Sequence, residues 1–320
     1  MRCVFAGTPD TAVLSLRRLL DSEHVVDAVI TRPDAPAGRG RALAPSPVAE
    51  VAAAAGIEVL KPASMRDPDV LERLRAIAPE VAPIVAYGGL VPASALAIPV
   101  HGWVNLHFSL LPRWRGAAPV QHAIWRGDEV TGASTFLLEE GLDTGPVLGS
   151  VIEEIAPDDT SGGLLARLAV IGADLLVDSL DLLASGAADP VAQAGEATYA
   201  PKLTVDDAHV RWDSPASAID RQIRACTPAP GAWTLVAGER LGLGPVGRVD
   251  AGADGGGDVV LAPGEVRVGR RDVLVGTLTD PVRLGSVRPA GRREMDAADW
   301  ARGLRGTDPI VLGATHEGAG

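Results

Sequence analysis

An amide and an imidazole two residues apart are the first groups in this chain that could do chemistry together. Asn105 and His107 stand in the run GWVNLHFSLLPRWRG, residues 102–116. Trp103 to His107 reads as a strand, and residues i and i+2 of a strand leave it on the same face. Side by side, the two can donate hydrogen bonds to one developing oxyanion. A buried pair that merely satisfies neighbouring polar groups would look the same. Asp143 is the third candidate, in the turn GLDTGP between Gly141 and Gly145. An aspartate in such a turn also commonly bonds its own backbone. Arg39 and Arg41 complete the set, in the long polar loop RPDAPAGRGRALAPSP of residues 32–47. Gly38 and Gly40 loosen the backbone around these two cations, which could meet a phosphate or simply face solvent.

The elements that must position these groups follow an α/β rhythm. Arg2 to Ala6 predicts a strand, Thr8 the cap of a helix with Pro9 in its first turn, and Val25 to Thr31 a second strand. Ser46-Pro47 and Asp67-Pro68 open further helices, the first closed by Gly56 and the second running through Ile77. Val81 to Ala86 is an almost continuous apolar strand, the pattern of a sheet covered on both faces. It ends at Tyr87-Gly88-Gly89. Ligands of open α/β sheets sit beyond the carboxyl ends of strands, where both Tyr87 and His107 fall. The turn at Gly7 lacks the G-x-G-x-x-G pattern, so a dinucleotide site is not expected. Strands over Thr131–Leu138 and Val147–Ile155 and a helix from Thr160 to about Ala184 complete a first domain over residues 1–188. Periodicity then fades, which predicts a linker over 189–204. A second domain over 205–310 opens with Val210-Arg211-Trp212, followed by a helix capped at Ser214 and running to about Cys226. It continues in short β runs punctuated by Gly and Pro, as in a small barrel, and Asp296 is expected to cap a last short helix containing Trp300. Residues 311–320 read as a loose tail.

Bulk properties narrow the class. With 320 residues and 47% hydrophobic side chains the chain can build two cores. The start MRCVFAGTPD has no apolar leader region, and no uncharged apolar run reaches 18 residues, so neither a secretory signal nor a membrane span is expected. Cys3 and Cys226 are the only cysteines; they form neither a disulfide framework nor a metal-ligand spacing, which points to a reducing cytoplasm. The net charge of −12 argues against a nucleic-acid partner, but it is unevenly spread, −10 over residues 1–204 and −2 over 205–320. A local arginine face on the second half stays compatible with these numbers.

The motifs FAGTPD (5–10), PAGRGRAL (36–43), PSPV (45–48), VAYG (85–88), VNLHFSLLPRWRGAAP (104–119) and GLDTG (141–145) resemble those of the methionyl-tRNA formyltransferase family. IRACTPAPGAW (223–233) and RPAGRREM (288–295) extend the resemblance over essentially the full chain. It implies a Rossmann-like catalytic domain with a mainly parallel sheet and a smaller, OB-like β-barrel domain that binds tRNA. It also implies formyl transfer from 10-formyltetrahydrofolate to the α-amine of methionyl initiator tRNA, by a cytoplasmic monomer that needs no metal and no membrane. Residue by residue, Asn105, His107 and Asp143 would be the catalytic trio, with His107 protonated and sharing the oxyanion with Asn105. Ser109, Leu110, Leu111 and Pro112 would line the folate site, and Arg39 would reach the acceptor end of the tRNA. Phe108 departs from the small residue common in relatives, and its side chain is expected to pack away from Asn105 and His107. Two rivals stand beside this reading. One is transfer to a small amine, which the PAGRG loop and the extra domain disfavour. The other is a silent RNA- or folate-binding protein, which would not need all three polar residues.

Overall fold

The computed structural model describes residues 1–37, 42–249, 260–270, 272–304 and 310–313. From the first residues, strand and helix alternate, and several helix starts are set by local chemistry. After β1 (Arg2–Gly7) come α1 (Asp10–Leu20), β2 (Val25–Ile30) and the short strands β3 (Ala35–Ala37) and β4 (Ala42–Ala44), which pair antiparallel within the expected loop. The Ser46 hydroxyl caps α2 (Pro47–Ala54) by accepting from the Ala49 amide at 3.1 Å. Beyond β5 (Glu58–Leu60), Asp67 caps α3 (Pro68–Ile77) through the Asp69 amide. Each such cap contributes about 1 kcal/mol. Thr8 behaves otherwise: Pro9 holds the cap position of α1, and the Thr8 hydroxyl donates to the Tyr87 carbonyl at 2.8 Å. That carbonyl lies in a turn outside the sheet ladder, where it needs a donor.

β6 (Ala82–Val85), the single turn α4 (Ala93–Leu96) and β7 (Trp103–His107) lead to α5 (Pro119–Arg126), β8 (Val130–Leu137), β9 (Val147–Glu154) and the long helix α6 (Ser161–Ser185). Among the described residues the strands form a seven-stranded sheet of order β5-β2-β1-β6-β7-β8-β9, parallel through β7 and antiparallel at β8 and β9. The mainly parallel α/β sheet expected from the sequence is present.

β7 has two differently covered faces. Leu106 lies under α6, close enough that a Cβ on Gly172 would stand 3.0 Å from its Cδ2, so a larger residue there would push the Leu106 side chain aside by a few tenths of an ångström. On the opposite face Trp103 joins a core with Ile84, Leu74 and Ala95, its indole N–H donating to the Ala95 carbonyl at 2.9 Å. Asn105 and His107 share the Trp103 face, beyond the part covered by that core.

Contacts divide the chain into two units, Met1–Pro119 with Val130–Glu154 and Leu165–Ala200, and Val120–Glu129 with Ile155–Leu164 and Pro201–Gly320. The expected linker, residues 189–204, therefore belongs in large part to the first unit. Val191 pairs with Val147, and Tyr199 bridges Arg115.

The second unit includes α7 (Ala216–Ala225), β10 (Trp233–Val236), β11 (Glu239–Leu243), β12 (Val246–Arg248), β13 (Val266–Val268), β14 (Val273–Val275), β15 (Val282–Leu284), β16 (Ser286–Pro289), β17 (Met295–Asp296) and α8 (Ala297–Arg302). Among the described residues its strands form two four-stranded antiparallel sheets, β10-β11-β16-β17 and β12-β15-β14-β13. Leu241, Leu243, Val273, Val275, Leu284 and Val287 from both sheets meet in one core with Trp212, Ile219 and Trp300. Asp296 caps α8 as expected, through the Ala298 amide at 2.7 Å. Ser214 does not cap α7; Pro215 takes that place and the Ala216 amide finds the Thr279 hydroxyl. The tail also departs from expectation at its start. Val311 bridges Glu265, and Leu312 bridges Val236 and is buried, because its side chain completes the second core. Residues 314–320 lie outside the described residues. Among the described residues no helix is long and apolar enough to cross a membrane.

Candidate active site

At the end of β7 the backbone leaves the sheet through Phe108 and Ser109 into the loop 110–116. Ser109 is fully buried, and its hydroxyl donates to the Arg113 carbonyl at 2.6 Å. Ser134 on β8 braces the same loop by donating to the Ser109 carbonyl at 2.8 Å. The loop is thereby folded back over β7, which brings the Trp114 carbonyl 2.9 Å from Nε2 of His107. A carbonyl only accepts, so Nε2 carries the proton and Nδ1 of the neutral ring is left with its lone pair. Trp114 reaches this position with φ of 59° and Asp143 its own with φ of 50°, both in the left-handed region disfavoured for side-chain-bearing residues.

Asp143 enters from the turn between β8 and β9. Its Oδ2 accepts from the Gly116 amide at 2.7 Å and lies 3.8 Å from Nδ1 of His107, with little of either side chain exposed. The 3.8 Å separation exceeds a direct hydrogen bond, so a proton between the two needs a shift of about 1 Å or a bridging molecule. The Asp143 carboxylate is held by the other loop of the site rather than turned onto its own backbone.

Burial lowers the pKa of His107 below its ordinary value; the Asp143 charge and the Trp114 carbonyl oppose this only in part. The resting ring is therefore neutral. With Nε2 held on the Trp114 carbonyl, Nδ1 is the ring atom able to take up a proton, at the cost of taking a cation out of water beside one carboxylate at 3.8 Å. A ring charged in that way is the donor expected from the sequence. Asn105 is half-buried, paired in the ladder between Ile84 and Phe136, and shares the His107 face. The arrangement combines a carboxamide donor, a neutral imidazole and a carboxylate at one strand end, a set suited to acyl transfer onto an amine.

Residues 1–180 match the formyl transferase family, and residues 202–305 match the formyl transferase C-terminal domain. A methionyl-tRNA formyltransferase of Nocardioides is 60% identical over 314 residues, covering 98% of this chain and 98% of its own. This chain belongs to the methionyl-tRNA formyltransferase family. The family enzyme of Salinispora arenicola is 59% identical over 98% of this chain and 100% of its own. Among solved structures, HypX from Aquifex aeolicus in complex with tetrahydrofolic acid shares the fold with a TM-score of 0.66 at 17% identity, over 96% of this chain and 48% of that one. The methionyl-tRNA formyltransferase from Clostridium thermocellum aligns with a TM-score of 0.54 at 17% identity, over 78% of this chain and 94% of that one.

Of the residues that the family resemblance singles out, His107 and Asp143 approach to 3.8 Å, and Asn105 stands two residues before His107 on the same face of β7. Leu110, Leu111 and Pro112 are half-buried beside them. Ser109 is fully buried, and its hydroxyl is satisfied within the loop by the Arg113 carbonyl. Phe108 is buried, as its packing role requires. Arg39 lies outside the described residues. Sequence reasoning missed Trp114, Gln193 and Thr198. Trp114 acts through its carbonyl, which no residue type reveals. The other two sit in the stretch read as linker.

Proposed function

We propose that this chain transfers the formyl group of 10-formyltetrahydrofolate to the α-amine of methionine esterified to initiator tRNA. The observation that carries the reading is the His107–Asp143 pair at the end of β7, beside Asn105, in a chain that matches methionyl-tRNA formyltransferases over nearly its whole length. The donor supplies an electrophilic formyl carbon bound to N10, a nitrogen that can leave once it takes up a proton. Leu110, Leu111 and Pro112 present an apolar surface that fits the donor's flat ring system.

Asn105 directs its amide N–H at the formyl oxygen as that atom gains charge. An α-amine has a reference pKa of about 7.7–8.0, so a useful neutral fraction attacks near neutral pH. His107 takes the proton of the newly bonded, cationic amine nitrogen at Nδ1, while Nε2–H stays on the Trp114 carbonyl. Asp143 stabilises the imidazolium so formed. His107 then returns the proton to N10, the carbon–N10 bond breaks and the formyl carbonyl re-forms on the methionine nitrogen. A single such donor is worth about 10²- to 10³-fold in rate, and proton transfer about 10²- to 10⁴-fold. Arg39 is assigned to the acceptor end of the tRNA. The reading carries with it a cytoplasmic, monomeric protein.

The test supplies 10-formyltetrahydrofolate with charged initiator tRNA, charged elongator tRNA and free amines in parallel. Formylation confined to initiator tRNA is the expected result. Transfer to a small amine alone, or to nothing, would overturn the assignment.

A further inference from the structure

We infer that Gln193, in the stretch joining the catalytic sheet to the rest of the chain, is a positioning residue for Asp143. The inference rests on the function proposed above. Gln193 Nε2 donates to two backbone carbonyls of the Asp143 turn, that of Asp143 itself and that of Gly145, both at 2.8 Å. Its Oε1 accepts from Nε and Nη2 of Arg115, at 3.1 and 2.6 Å. The carbonyls only accept and the guanidinium only donates, so this amide has a single satisfiable orientation. Arg115 in turn stands in the loop that supplies the Trp114 carbonyl to His107.

Gln193 thus ties together the two loops that face each other across the His107–Asp143 gap. The segment around it adds further ties. The Trp114 amide donates to the Thr198 hydroxyl at 2.9 Å, the Arg115 amide to the Thr198 carbonyl at 2.9 Å, and the Ala200 amide to the Arg115 carbonyl at 2.8 Å. Residues 193–200 form a strap fastened to the Trp114 loop along its length and to the Asp143 turn through one side chain. Asp143 is held at both ends, at its carbonyl by Gln193 and at its carboxylate by the Gly116 amide. Its backbone is left-handed, with φ of 50°, a conformation that Asp adopts more readily than most residues and that these two contacts help to hold. Removing the Gln193 amide frees the turn to relax, which carries the carboxylate away from Nδ1.

The test compares the full-length parent with Gln193→Ala and Gln193→Glu. The glutamate keeps the Arg115 partner but turns a carboxylate oxygen toward the two carbonyls. Both variants should stay folded by circular dichroism. Their kcat for methionyl initiator tRNA should fall between about 10- and 100-fold, because displacements near 1 Å have effects of that size, with KM for the donor changed less than about twofold. The histidine ring resonances report independently of activity. Asp143 is the charge that raises the His107 pKa, so its withdrawal should move the His107 midpoint to still lower pH in Gln193→Ala, which adds no charge of its own. Folded variants with kcat within about twofold of the parent, or a His107 midpoint that does not move, would overturn the role of Gln193. A parent chain that formylates no tRNA would overturn the underlying function instead, and the resonance shift would still decide the positioning role.

Discussion

A neutral imidazole beside a carboxylate is the feature on which the residue-level chemistry turns. The ring is neutral because β7 and the folded-back loop bury it; Nε2 is fixed as the protonated atom because its partner is the Trp114 carbonyl. Burial lowers the His107 pKa below 6.5 in the folded state, whereas the unfolded chain titrates near 6.5. Between those two values the unfolded chain binds more protons. The stability contributed by the neutral buried ring is therefore complete above pH 6.5 and is lost as pH falls through the folded value. Nuclear magnetic resonance of the His107 ring, assigned against His107→Gln, should give a midpoint below 6.5; a midpoint above neutrality would mean a ring charged at rest. From sequence, Asn105 and His107 are legible as a pair because strand geometry aligns them. The protonation state is not, because it depends on a carbonyl seven residues on that reaches the ring only through the loop's fold.

At the scale of elements, the site is the meeting of a strand end, the loop after it, the β8–β9 turn and a strap from residues 193–200. The caps at Ser46, Asp67 and Asp296 were readable because a cap's partner lies within three residues. The ties that shape the site span far more chain. Trp114 and Thr198 are 84 residues apart, and Gln193 and Asp143 are 50 apart. Composition near Gln193, rich in Ala, Gly and Pro, reads as a linker, because a segment ordered by backbone partners elsewhere has no periodicity of its own. Thr8 shows the converse: its local signal is that of a cap, but a distant carbonyl takes the hydroxyl. The β8–β9 turn is also tight. A Cβ on Gly145 would stand 1.7 Å from the Leu137 carbonyl oxygen, so the two backbones must separate to admit one. Gly145→Ala should lower the urea midpoint by the equivalent of about 1–3 kcal/mol and reduce kcat by moving the turn that carries Asp143. An unchanged midpoint together with unchanged kcat would contradict this picture of the turn.

On the scale of the whole molecule, the chain divides discontinuously, with Val120–Glu129 and Ile155–Leu164 grouped with the second unit. No composition shift marks these two excursions, which is why contiguous domains were expected. Both cysteines are buried and free, and burial pushes their thiols up, Cys3 to about 12 and Cys226 to about 11, so neither supplies a nucleophile. The groups proposed to react are those at the end of β7, and the account stands or falls on whether Asp143 works with His107. Single-turnover formyl transfer to charged initiator tRNA measures this most directly, comparing the parent with Asp143→Asn at saturating 10-formyltetrahydrofolate. A loss of about 10²- to 10⁴-fold with donor affinity retained is the predicted result, and a rate close to that of the parent would contradict the account.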